Sequence, residues 1–155
     1  MLKSRILSLF FILVFLGGCA VVPLTGRRQF SLISNAQLVA LSNNNYRQIL
    51  SESKLSQDSA KVEMVKEVGS NIAQATERFF RENGLEKETE NYKGEFSVIE
   101  DSETANAFCL PGGKVAVYTG ILPVAQDDAG LAAVIAHEVA HAIARHGGER
   151  LSQEM

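Results

Sequence analysis

The sequence predicts an α+β fold in which helices pack on a small antiparallel sheet. Three observations carry this. Apolar residues recur at helical spacing in two stretches of the first half, short alternating segments separated by a Pro-Gly-Gly turn occupy residues 95–119, and a final, strongly apolar helical run follows Asp127-Asp128. A length of 155 residues allows one modest domain.

The N-terminus reads as an export signal. Lys3 and Arg5 form a positive region, and residues 6–16 are apolar except for Ser8. Leu16-Gly17-Gly18-Cys19 resembles the lipobox of bacterial lipoprotein signals. That resemblance implies a signal peptide over residues 1–18, a mature domain over residues 19–155, and lipidation of Cys19. It implies a lipid anchor on the periplasmic face of a bacterial cell envelope, and Ala20 after the cysteine points to the outer membrane. The competing reading is an uncleaved anchor over residues 6–22, at the short limit of the roughly 17–25 residues a membrane span needs. Cys109 is the only other cysteine and is expected to be a small apolar core residue.

Residues 21–28 read as a linker with a turn, and residues 29–33 as a short strand. Ser34 is the expected N-cap of a helix over residues 35–50, with Leu38, Leu41 and Ile49 facing the core. Asn43-Asn44-Asn45 should weaken it, because Asn competes for backbone hydrogen bonds. Asp58 or Ser59 caps a second helix that ends near Asn83-Gly84, with Val62, Val65, Val68, Ile72, Ala75 and Phe79 on its inner face. Residues 85–95 are polar and read as a loop. Strands are expected over residues 95–99, 106–110 and 114–119, with Val115 and Val117 on one face and Ala116 and Tyr118 on the other. Asp127 or Asp128 caps the last helix, expected over residues 129–145 and buried, because residues 131–136 leave almost no polar face.

Charge is distributed unevenly. No acidic residue precedes Glu52, and from there on 18 acidic residues face 10 basic ones. An acidic body without a Lys/Arg cluster argues against a nucleic-acid partner.

The chemistry is concentrated in His137-Glu138-Val139-Ala140-His141 on the last helix. Two imidazoles four residues apart on a helix point the same way, about one turn apart. That suits two ligands of one zinc ion (Zn2+), with Glu138 beside the metal-bound water as general base. The alternative is a pair of core histidines hydrogen-bonded to backbone. Burying two histidines and a glutamate on an apolar helix is costly without compensation, which a divalent cation would supply.

Four segments extend the pattern: Pro23-Leu24-Thr25-Gly26-Arg27-Arg28-Gln29; Asn106-Ala107-Phe108-Cys109-Leu110-Pro111-Gly112-Gly113; Val117-Tyr118-Thr119-Gly120-Ile121-Leu122; and the run from His137 through His146. Together they resemble the HtpX-like gluzincins, which include CAAX prenyl endopeptidases and bacterial lipoprotein peptidases of envelope quality control. The resemblance implies a zincin-like fold and a zinc endopeptidase with His137 and His141 as ligands and Glu138 catalytic. It further implies polypeptide substrates, among them misfolded or unassembled proteins. In that family the third ligand is a Glu on a later helix, and no position here matches it, so the chain resembles the N-terminal part of such an enzyme. On a continuous helix His146 would lie on the far side from His137, and its spacing misses the metzincin pattern. Glu149 would lie about 12 Å along the helix from His141, out of reach.

Substrate is expected to add as a strand along the edge of the sheet, with residues 114–118 as that edge, Gly112 and Gly113 allowing close backbone approach, and Asn106 and Val115 alongside. An ordinary hairpin is the competing reading. A second functional class also stays open: a non-catalytic lipoprotein that holds unfolded polypeptide in the same groove.

Overall fold

The computed structural model describes residues 19–21, 26, 28–30, 33–90 and 92–147. The expected signal peptide, the side chain of Cys19 and Glu149 lie outside the described residues. A short antiparallel pair, β1 (Cys19–Val21) and β2 (Arg28–Phe30), comes first. Then follow α1 (Asn35–Glu52), α2 (Ser59–Glu82), β3 (Glu95–Ile99), β4 (Ala107–Leu110), β5 (Lys114–Tyr118), α3 (Leu122–Ala125) and α4 (Asp128–Ile143).

Ser34 starts α1 through a capping box: its hydroxyl accepts from the Gln37 N–H, while Gln37 Oε1 accepts from the Ser34 N–H at 3.1 Å. The helix continues through Asn43-Asn44-Asn45 because packing outweighs propensity. Tyr46 is only 1% exposed, and its hydroxyl donates to the Val115 carbonyl at 2.8 Å. Leu38 is buried as expected, whereas Leu41 is half exposed.

Asp58 caps α2 by accepting from the Ala60 and Lys61 N–H groups. The helix closes on Asn83, with Gly84 in the left-handed region at φ 68°. Val65 and Val68 are buried, but the inner face then runs through Ala73 and Phe80 rather than Ala75 and Phe79. Over 24 residues, the true helical period drifts away from any fixed alternation of threes and fours. At Gly69 the helix nearly touches β3, since a Cβ there would come within 2.4 Å of the Phe96 ring.

The sheet is mixed, which corrects the antiparallel expectation. Its strand order is β3-β5-β4; β3 runs parallel to β5, and β4 runs antiparallel to it. The β4–β5 hairpin turns through Gly112 and Gly113, at φ 90° and 75°. Val115, Ala116 and Val117 are completely buried, so β5 is apolar on both faces and takes the centre. The chain after β3 must therefore cross over to reach β4, leaving β3 and β5 pointing the same way. Val115 and Val117 join Val65, Val68, Leu131, Ile135 and Val139 in the main core under α2 and α4. Ala116 and Tyr118 face the other way, toward Tyr46 and Ile49 of α1, as the alternation predicts.

Asp127 caps α4, accepting from the Gly130 N–H at 2.8 Å. Leu131, Ile135 and Val139 form its buried stripe, while Ala133, His137, Ala140 and His141 are exposed. The expectation of a fully buried helix is thus corrected. Helix α4 lies against β4 and α2, and that packing covers one side only.

Candidate active site

Helix α4 presents both histidines of the motif on one exposed face. Their Nε2 atoms are 3.0 Å apart, and the rings are nearly perpendicular at 88°. Two nitrogens bound tetrahedrally to one zinc at about 2.0–2.1 Å would sit roughly 3.3 Å apart. The pair therefore needs to open by only a few tenths of an ångström to hold one ion. Both histidines are exposed, so burial imposes no cost on them that a cation would have to offset. The convergence of the two nitrogens is the observation that points to a metal. Among the described residues no group of three His, Cys, Asp or Glu side chains surrounds one point.

Glu138 is half-buried, one residue and about 100° further round the helix. It lies on the side of β4. Burial pushes the Cys109 thiol of that strand up to about 12, and the Glu138 carboxylate adds to the shift. Cys109 therefore stays protonated at neutral pH. It packs against the main core, as the sequence suggests.

His146 does not lie on the far side of the helix. Helix α4 stops at Ile143, and Arg145 takes a left-handed conformation at φ 58°. This reverses the chain and brings His146 Nδ1 to 2.6 Å from His141 Nδ1. The Arg145 guanidinium is held by Glu88 at 2.7 Å. A sequence signal for the reversal exists in Gly147-Gly148, but a left-handed arginine is uncommon and nothing in residue type marks Arg145 for it.

The expected substrate edge is corrected. Strand β5 is paired on both sides, Val115 has no exposed surface, and its carbonyl accepts from Tyr46. Nothing can add to β5. The sheet's outer strands are β3, whose far end is bridged by Leu55 at Ile99, and β4, which is paired only with β5 and packs against α4. Asn106 stands exposed immediately before β4, its carbonyl accepting from the Tyr118 N–H at 3.0 Å. Gly112 and Gly113 shape the hairpin; a Cβ on Gly113 would meet the Tyr92 ring at 2.9 Å. Sequence reasoning missed an apolar groove of about 650 Å³ between α2 and α4. Ile72, Thr76 and Phe79 form one wall, and Ala140 the other beside His137, His141 and His146. Its apolar residues at helical spacing read as core, and Phe79 is in fact 49% exposed.

Residues 66–155 match the family described as Peptidase family M48, a stretch that contains the whole of α4 and the three histidines. The chain belongs to peptidase family M48. Among its M48 relatives, the mitochondrial metalloendopeptidase OMA1 of Schizosaccharomyces pombe is 34% identical over 84% of this chain and 36% of its own length. The OMA1 metalloendopeptidase of Saccharomyces cerevisiae is 29% identical over 88% of the chain and 43% of its own length. A putative beta-barrel assembly-enhancing protease of Vibrio cholerae is 39% identical over 38% of the chain. The chain thus spans about two fifths of the length of the fungal relatives it matches. These relatives overturn the expected location on the periplasmic face of a bacterial outer membrane, since those aligned along most of the chain are mitochondrial proteins. Among the described residues no helix is long and apolar enough to cross a membrane.

Proposed function

We propose that this protein is a zinc-dependent endopeptidase acting on misfolded or unassembled polypeptides. His137 and His141 are the metal ligands in this reading, and Glu138 is the general base. The convergence of the two Nε2 atoms at 3.0 Å carries it. The metalloendopeptidase relatives support it. Bound zinc would supply Lewis acidity and bring the pKa of a coordinated water to about 7. Glu138 would take the water's proton during attack on the peptide carbonyl and hand it to the departing amine. The third protein ligand, a downstream Glu by family resemblance, lies beyond the residues that form this pair.

The free edge of β4 is suited to backbone pairing with an extended peptide, and Asn106 borders it. The groove beside the imidazoles suits the apolar side chains that unfolded polypeptide exposes. Within the family, the four sequence segments resemble the HtpX-like branch, whereas the mitochondrial relatives favour an OMA1-like one. We further propose acylation of Cys19 as a membrane attachment, on the Leu16-Gly17-Gly18-Cys19 string alone; the mass of the N-terminal peptide tests it.

Zinc content and casein hydrolysis of the full-length protein test the central reading. Cleavage that is lost on chelation and in Glu138→Gln supports it. A protein that binds zinc and unfolded polypeptide but never cleaves is a binding protein instead. One that stays metal-free under saturating zinc overturns the metal site.

A further inference from the structure

The side chain that meets His141 from behind has no role in the reading above. His141 has two ring nitrogens and both are engaged. Nε2 faces His137 at 3.0 Å, and Nδ1 faces His146 Nδ1 at 2.6 Å. The two distances call for different chemistry. The 3.0 Å pair opens easily to the roughly 3.3 Å that one tetrahedral zinc requires. The 2.6 Å pair is too close for two ligands of one ion and is the length of a short hydrogen bond. We propose that His146 is a positioning residue that holds His141 in the tautomer and ring orientation needed to bind the metal through Nε2. The proposal rests on the metal-site reading given above.

A neutral imidazole carries one proton. For Nε2 to offer its lone pair to a metal, the proton must be on Nδ1, and that N–H needs an acceptor. His146 Nδ1, at 2.6 Å, is that acceptor when His146 carries its own proton on Nε2. The ring is aimed by the backbone: Arg145 turns left-handed immediately before it, and Glu88 grips the arginine at 2.7 Å. His146 itself is exposed, so it contributes little to the core. An ion pair between Arg145 and Glu88 of the turn after α2 thereby sets the angle of an imidazole on α4.

Cobalt titration of the full-length protein, read by visible absorption, tests this alongside competition for zinc with a chromophoric chelator. Partners of this kind typically contribute 10–100-fold to metal affinity. His146→Ala should weaken cobalt and zinc by that factor while leaving the thermal midpoint of the metal-free protein unchanged. His146→Asn, whose Oδ1 lies as many bonds from the backbone as Nδ1, should restore most of the loss. Equal affinity in wild type and His146→Ala would overturn the proposal and leave the metal site standing. Loss as complete as in His137→Ala, not restored by Asn, would make His146 a direct ligand and also overturn it. Failure of the wild type to bind either metal would remove the metal site and this role with it.

Discussion

Arg145 Nη2 lies 2.7 Å from Glu88 Oε2, joining the turn after α4 to the turn after α2. Both side chains are about a quarter exposed, so the pair is only partly screened. It offsets an unfavourable backbone, because the left-handed conformation at φ 58° costs a residue with a Cβ roughly 1–2 kcal/mol. Arg145→Ala keeps that cost and loses the ion pair, and should destabilise the fold by about 1 kcal/mol in urea unfolding. Arg145→Gly loses the ion pair but relieves the backbone, and should fall within about 0.5 kcal/mol of wild type. If the two variants unfold at the same midpoint, the left-handed turn does not persist in solution.

Glu138 carries the proton in the proposed reaction without touching the metal. Glu138→Gln keeps the shape and removes the base, so casein cleavage should fall roughly 10²–10⁴-fold. Zinc affinity should change by no more than a few-fold. His137→Ala and His141→Ala should lose both metal and cleavage. Zinc loss in Glu138→Gln equal to that in His137→Ala would make the carboxylate a ligand and reverse the assignment of roles.

Much of this arrangement could be read from local chemistry. Ser34, Asp58 and Asp127 cap helices where the sequence places caps, and His137 and His141 converge because i and i+4 share a helix face. The alternation of Val115 to Tyr118 correctly divides the two faces of β5. What was not legible depends on contacts distant in sequence. The central place of β5 follows from which strand is apolar on both faces after the helices have docked. Tyr46 is buried because its hydroxyl finds the Val115 carbonyl 69 residues away. His146 meets His141 because the chain reverses at a left-handed Arg145, whose guanidinium pairs with Glu88 of another element.

Gly69 sets two known magnitudes against each other. In the middle of α2, Gly→Ala should stabilise the helix by about 0.8–1 kcal/mol. The added methyl would lie 2.4 Å from the Phe96 ring, and forcing that ring aside costs about 1–3 kcal/mol. The steric cost should win, so Gly69→Ala is expected to lower stability by about 1 kcal/mol. In a Phe96→Leu background the same change should become neutral or stabilising. A double-mutant cycle by urea unfolding measures the coupling, and additivity would show that α2 and β3 do not approach so closely.

Cys109 links the state of the fold to alkaline pH. Its ordinary value is 9.0, and burial first, then the Glu138 carboxylate, raise it to about 12 in the folded protein. The raised value means that the folded state favours the protonated thiol. The corresponding stability is fully present below pH 9.0 and is lost as pH rises from there toward about 12. Cys109→Ala should remove that part of the alkaline decline and leave stability at neutral pH lower only by the small loss of packing. The same shift reduces the thiolate fraction at pH 8 by about three orders of magnitude relative to a free thiol. Iodoacetamide should therefore label Cys109 of the native protein slowly, and at the rate of an ordinary thiol once urea is added. Rapid labelling of the native protein would mean that β4 and the Glu138 face of α4 separate in solution, and that the base does not sit against the strand proposed to receive substrate.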